Sequence, residues 1–203
     1  MGFYESKILA PVLDWGMQQT PIPRERENLI PRAHGKVLEI GIGSGLNLSY
    51  YGDVESVTGV DPSEALGKKA RRRAGEVDFP VHFKQITAET LPLDNASFDC
   101  AVITWTLCSI PDPHAALLEV RRVLKPEGEL LFVEHGRAPD AYVVKWQNRL
   151  NTFWPKMCGG CNLNRKIDEI IQSADFRIEE LDAGYRPGQR PLSYMYHGLA
   201  RPV

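Results

Sequence analysis

The spacing of apolar positions changes near residue 36. Before it, Phe3, Ile8, Leu9, Val12, Leu13 and Met17 recur every three to five residues, as on one face of an amphipathic helix. Pro11 falls inside that pattern and predicts a kink or a split. Pro21, Pro23 and Pro31 then bracket a second, short helix over 24–30. From residue 36 onward, short apolar runs alternate with helical segments. Strands are predicted over 37–40, 56–60, 81–85, 98–104 and 129–134, the fourth apolar enough to be buried on both faces. A helix is predicted from residue 46 to 51 onward, a second over 64–74 behind a capping Ser63, and a third from Pro113 to Leu124. Residues 125–128, Lys-Pro-Glu-Gly, read as a turn. The rhythm breaks at the end. Strands over 176–181 and 194–200 are joined by a loop rich in proline and glycine, with no helix between them, which predicts an antiparallel pair at one edge.

The predicted fold is therefore α/β, a doubly wound, mostly parallel sheet of seven strands with an antiparallel edge strand. One domain spans 1–203: an N-terminal helical cap (1–35), a core (36–136), a lid insertion (137–165), and a C-terminal helix with the antiparallel strands (166–203). With 203 residues, 43% of them hydrophobic, the chain is large enough to bury one core. Its net charge of -2 gives no electrostatic case for nucleic acid as a partner. No apolar run reaches the roughly 20 residues of a bilayer span, although peripheral membrane contact remains compatible with the cap. The N-terminal stretch carries Glu5, Lys7 and Asp14, unlike a signal peptide. A cytoplasmic protein with four free cysteines is expected.

Chemistry concentrates where the first strand ends. Residues 39–45 read Glu-Ile-Gly-Ile-Gly-Ser-Gly. Glycines at alternate positions let a ligand lie against the backbone, and a turn from strand to helix presents free N–H groups. A dinucleotide fingerprint needs G-x-G-x-x-G, and Leu46 stands where its third glycine belongs. Asp61, 20 residues after Gly41 at the end of the second strand, suits ribose hydroxyls in either case.

The ordered set resembles the class I S-adenosylmethionine-dependent methyltransferases. It comprises the 39–45 turn, Val-Asp-Pro-Ser at 60–63, Ala-Glu-Thr-Leu-Pro-Leu at 88–93, Phe-Asp-Cys-Ala-Val at 98–102, and Arg-Arg-Val-Leu-Lys-Pro-Glu-Gly at 121–128. The resemblance implies a Rossmann-like fold and S-adenosylmethionine as cofactor, with S-adenosylhomocysteine as product. It implies Gly41, Gly43 and Gly45 beneath the methionine part and ribose, Glu39 near the amino end, and Asp61 on the ribose. Pro62, Ala88 and Glu89 would border the adenine, and Thr104 and Trp105 the methyl group. Many relatives carry an acid just before that Ala, where this chain has Thr87.

The acceptor is less legible. Three stretches should surround it: the cap, the 105–112 loop and the lid. In the lid, Tyr142, Val143, Trp146, Leu150, Phe153 and Trp154 predict an apolar, aromatic helical face. Val-Glu-His at 133–135, Thr-Leu-Cys-Ser-Ile at 106–110 and Gly-Cys-Asn-Leu-Asn-Arg at 160–165 resemble a small branch of the superfamily that methylates alkyl thiols. Those relatives are membrane-associated through a hydrophobic segment without a counterpart here. The implied reaction is methyl transfer to a small, largely apolar acceptor, a thiol being favoured. O-, N- or C-methylation of a quinone-like or lipid acceptor is the alternative, and a non-catalytic cofactor-binding protein the remaining one. His135, at the end of the fifth strand, is the expected base. Cys158-Gly-Gly-Cys161 has the spacing of half a zinc site, but no second such pair accompanies it, and no metal is expected. His114 is expected on a surface helix, and His197 in a structural role.

Overall fold

A computed structural model describes residues 10–19 and 21–203. Seven strands form one sheet: β1 (Gly35–Ile40), β2 (Val54–Val60), β3 (Val81–Lys84), β4 (Phe98–Thr104), β5 (Leu124–His135), β6 (Phe176–Tyr185) and β7 (Tyr194–Pro202). Their spatial order is β3-β2-β1-β4-β5-β7-β6. The first five pair in parallel, and β7 runs against both β5 and β6. The reversed strand is thus one in from the edge. The order reverses between β1 and β4, which opens a crevice at the carboxyl ends of β1, β2 and β4.

Alternate residues of the central strands feed two cores. On β4 and β5, Ala101, Ile103, Leu130 and Phe132 join the side covered by α4 (Pro113–Val123) and α7 (Ile167–Ser173). Cys100, Val102, Leu131 and Val133 face the other side, which Leu29 of α2 (Ile22–Leu29), Ile30, Leu48 and Tyr51 cover. Burial on both faces accounts for the unbroken apolar runs in the sequence. Capping follows the expected chemistry. Ser63 Oγ accepts from Leu66 N at the start of α3 (Glu64–Ala74), and Asp112 Oδ1 accepts from Ala115 N at the start of α4. The predicted turn at 125–128 is a bulge within β5. There, Leu124 pairs with Phe98 and Glu129 with Cys100, so four residues bulge out opposite Asp99.

Two expectations are corrected. No α-helix follows the glycine turn. Residues Leu48–Tyr50 make a single 3-10 turn, and the chain enters β2 directly. The Asn47 side chain is drawn into buried hydrogen bonds with Arg26, Glu39 and Thr104. Pro11 stands in α1 as described (Ala10–Gly16), and the residues before Ala10, on which its expected kink or split depends, lie outside the described residues. Phe3, Ile8 and Leu9 lie outside the described residues. Asp14 ties α1 to α3 through Lys69 (2.9 Å) and Arg73 (2.8 Å). Second, the lid's aromatic face points outward. In α5 (Ala141–Leu150) the buried side chains are Val143, Val144 and Gln147, while Tyr142 is 71% and Trp146 43% exposed. Gln147 is fully bonded, accepting from Ala138 N (3.0 Å) and donating to Gly136 O (2.9 Å), which makes its burial affordable. Among the described residues no helix is long and apolar enough to cross a membrane.

Candidate active site

A cavity of about 790 Å³ opens at the crevice. Glu39, Gly41, Gly43, Asp61, Pro62, Ala88, Glu89, Thr104, Trp105 and His135 all border it. Gly45 does not; it shapes the turn. A second depression of about 630 Å³ lies beyond α2, where Arg32 pairs with Glu180 and Arg186 with Glu25. His197 also bonds Glu25 there (2.9 Å), as a structural histidine would. His114 meets Ser173 O (3.0 Å) on the surface.

The glycine turn holds its shape by backbone bonds. Gly41 N and Ile42 N donate to Val60 O at 2.8 and 3.2 Å. Gly41 has φ +73, and a Cβ there would lie 2.1 Å from Thr106 Oγ1. Gly43 has φ +54, but among the described residues a Cβ on it would meet nothing closer than 3.7 Å. Only backbone therefore stands between a ligand and the strand ends. Asp61 spans the crevice: Oδ2 accepts from Gly43 N (3.0 Å) and Oδ1 from Ser63 N (2.7 Å). Burial raises its pKa, and the two N–H groups oppose the rise. Each oxygen keeps a lone pair for a further donor.

Below the turn lies a buried polar network. Glu39 is 1% exposed. Its Oε1 accepts from Asn47 Nδ2 (2.8 Å) and its Oε2 from Tyr51 Oη (2.9 Å). Burial pushes its pKa up to about 7 against those bonds. Arg26 Nε donates to Asn47 Oδ1 (2.7 Å), its Nη1 to Met17 O (2.6 Å), and its guanidinium stacks 5.0 Å from the Trp105 ring centre. Burial lowers the Arg26 pKa to about 10. Arg26, Asn47 and Tyr51 were not expected at the site. A charged residue buried through distant partners leaves no local pattern in sequence.

The far end of the cavity is built on the loop after β4. Trp105 takes φ +50, a strained conformation for a large side chain, and its buried Nε1 has no partner among the described residues. Glu134, wholly buried, fixes this loop: its carboxylate accepts from Thr106 N (2.5 Å), Leu107 N (2.9 Å) and Cys108 N (3.4 Å). Arg165 grips the carbonyls of Leu107 and Ile110. His135 and Cys161 face each other across the cavity wall, Nε2 to Sγ 3.0 Å. The Cys108 thiol and the His135 ring favour the thiolate at Cys161, and that thiolate in turn holds the His135 proton against the effect of burial. Cys108, His135 and Cys161 place their donor atoms within 4.8 Å of one another; Cys158 is not part of the group. From the lid, Trp154 lines the cavity, whereas Tyr142, Trp146 and Phe153 do not.

Residues 38–132 match the family described as "Methyltransferase domain". The chain is 34% identical over 150 residues to thiol S-methyltransferase TMT1B of Rattus norvegicus, a match covering 72% of this chain and 62% of that protein. It is 34% identical over 178 residues to phosphatidylethanolamine N-methyltransferase of Cereibacter sphaeroides, covering 84% of this chain and 81% of that one. The crystal structure of the [4+2]-cyclase SpnF superposes with a TM-score of 0.70 at 19% identity, over 89% of this chain and 79% of that one. That likeness concerns the fold, which hosts more than one chemistry.

Proposed function

The chain belongs to the class I S-adenosylmethionine-dependent methyltransferases, in the branch related to thiol S-methyltransferases, and we propose that it methylates a small, largely apolar thiol. One observation carries this reading: a single cavity runs from Asp61 and the glycine turn to Cys108, His135 and Cys161.

The lining suits the cofactor. Buried opposite charges, Arg26 and Glu39, match the carboxylate and ammonium of an amino-acid end. Asp61 keeps lone pairs for two ribose hydroxyls, and Gly43 leaves the backbone open to close approach. Pro62, Ala88 and Glu89 border the space for an adenine, with Thr87 supplying no carboxylate for its amine. Bound S-adenosylmethionine supplies an activated methyl sulfonium, so the protein must align an acceptor and exclude water. Leu13, Met17, Leu163, Leu192, Met195 and Trp154 give the acceptor end an apolar wall. A thiol with an ordinary pKa near 8.5 needs only modest help to ionise. His135 was expected to be the base. Its Nε2 already faces Cys161, so in this reading the imidazole stands at the acceptor end as one member of a pair.

The Cereibacter sphaeroides relative favours a second reading, N-methylation of a lipid amine. A cytosolic location and a small-molecule acceptor belong to the proposal as well. The test is an acceptor panel with S-adenosylhomocysteine as readout: alkanethiols, phenols, quinols and phosphatidylethanolamine. Turnover confined to thiols supports the reading, and turnover of the lipid or phenols without any thiol refutes it.

A further inference from the structure

The acceptor end holds a group of donors that alignment of a methyl group does not require. Cys108 comes from the loop after β4, His135 from the last position of β5, and Cys161 from the loop after α6 (Trp154–Met157). Widely separated in sequence, they bring two sulfurs and one imidazole nitrogen within 4.8 Å of one another, and all three line the cavity. In sequence, Cys158 and Cys161 have the spacing of half a zinc site, and no metal was expected there. The fold pairs Cys161 with different partners and leaves Cys158 out.

The surroundings hold these donors in place. Cys108 N is fixed by Glu134 Oε2. Cys108 O accepts from Asn162 N (2.8 Å) and Asn162 Nδ2 (3.0 Å), which clamps the Cys161 loop to the Cys108 loop. Gly160, at φ +90, passes so close that a Cβ would sit 3.1 Å from Ser109 O. The register of β5 with β7, His135 opposite Met195, fixes the third donor.

We propose that Cys108, His135 and Cys161 form a three-ligand site for a thiophilic divalent cation, zinc being the fitting one, whose fourth position takes the acceptor thiol. This inference rests on the methyl-transfer reading above. Two thiolates and an imidazole suit zinc and not magnesium or calcium, which take oxygen ligands. Three protein ligands with one position open is the arrangement of a reactive site, and here the open side faces the cavity. Tetrahedral zinc with ordinary bond lengths separates sulfur and nitrogen ligands by roughly 3.5 Å. The His135–Cys161 contact, 3.0 Å without metal, opens by about half an ångström, within reach of a cysteine side-chain rotation.

The chemistry balances. On metal binding Cys108 and the His135–Cys161 pair release one proton each to solvent, which leaves two thiolates and a neutral imidazole. The acceptor R–SH loses its proton to water as its sulfur joins the metal, which holds it as thiolate at neutral pH. A sulfur lone pair then forms the new S–CH3 bond while the bond from methyl to the cofactor sulfonium breaks. The products are neutral S-adenosylhomocysteine and the thioether R–S–CH3, a weak ligand that leaves.

The experiment titrates the full chain, stripped with a chelator and fully reduced, with Co2+. The proposal predicts one equivalent bound, with a thiolate-to-cobalt charge-transfer band and visible bands of tetrahedral intensity. C161S, C108S and H135A lose those bands, and C158S keeps them. Calorimetry with S-adenosylmethionine checks that each variant still folds. Hexanethiol shifts the visible bands and hexanol does not, and chelation lowers thiol methylation by about a hundredfold or more. The proposal is overturned by absence of the bands, by bands that survive in C108S and H135A, or by bands that thiol leaves unmoved. It is likewise overturned if mild oxidation links Cys108 to Cys161 in a chain whose reduced form binds no metal. Full thiol turnover by the chelated chain would sink the metal site and leave the methyltransferase reading standing. Bands that respond to thiol in a chain without S-adenosylmethionine affinity would do the reverse.

Discussion

Replacing Glu39 by Gln tests the buried network beneath the glycine turn. Burial pushes the Glu39 pKa up to about 7 from an ordinary 4.5, although Asn47 and Tyr51 donate to it and Arg26 is near. For an acid whose pKa is raised on folding, the native state binds the extra proton. Stability is therefore full below about pH 4.5 and falls as pH rises through about 7. Each pH unit in that window costs about 1.4 kcal/mol, so the ionised side chain costs the fold about 3 kcal/mol at alkaline pH. Gln keeps the shape and carries no charge. Its carbonyl can accept from Asn47, and its amide can donate to Tyr51 Oη. Urea unfolding at about pH 8.5 should show E39Q more stable than the parent by about 2–3 kcal/mol, and at about pH 4.5 the two should agree within error. Cofactor affinity should change in the opposite sense. The ionised carboxylate is what an ammonium group needs, so parent affinity should weaken as pH falls below about 7, and E39Q should bind weakly throughout. A stability difference independent of pH, or a parent more stable at pH 8.5, would refute the argument.

Further predictions concern the turn, the loop and the amino-acid end. Gly41→Ala places a Cβ on Thr106 in a left-handed conformation, and thermal or urea unfolding should show a loss of about 2–5 kcal/mol, of which T106A in the same chain recovers only the clash. Glu134→Leu leaves the N–H groups of Thr106, Leu107 and Cys108 without their acceptor; a loss of about 3 kcal/mol or more is expected, and a neutral result would mean that the loop is held without it. Arg26→Met should weaken S-adenosylmethionine binding by about tenfold or more in calorimetry through loss of a charged hydrogen-bond partner, and unchanged affinity would remove Arg26 from the amino-acid end.

The sequence made the cofactor half of this molecule readable because its signals are local. Alternate glycines need no distant partner to be recognised, and Asp61 follows at a spacing that one strand–turn–strand unit enforces. Ser63 and Asp112 cap the helices their positions announce. The misreadings have long-range causes. Leu46 to Tyr51 carries helical composition, yet Asn47 is drawn away by Arg26, Glu39 and Thr104, partners from three other segments. The lid helix offered one aromatic stripe at helical spacing, yet of that stripe only Val143 is buried within the helix, beside Val144 and Gln147. Periodicity measures a stripe's existence and not the direction it faces, and a buried glutamine is chosen only by the carbonyls and N–H groups waiting for it. The approach of Cys161 to Cys108 and His135 depends on the Asn162 and Arg165 clamps, which no spacing rule encodes.

The most direct test is the structure of the chain bound to S-adenosylhomocysteine together with an alkanethiol. The account predicts the ribose hydroxyls on Asp61, the amino-acid end between Arg26 and Glu39, and the acceptor sulfur between the cofactor sulfur and the group formed by Cys108, His135 and Cys161. A cofactor bound elsewhere, or bound with its sulfur turned away from that group, would contradict it.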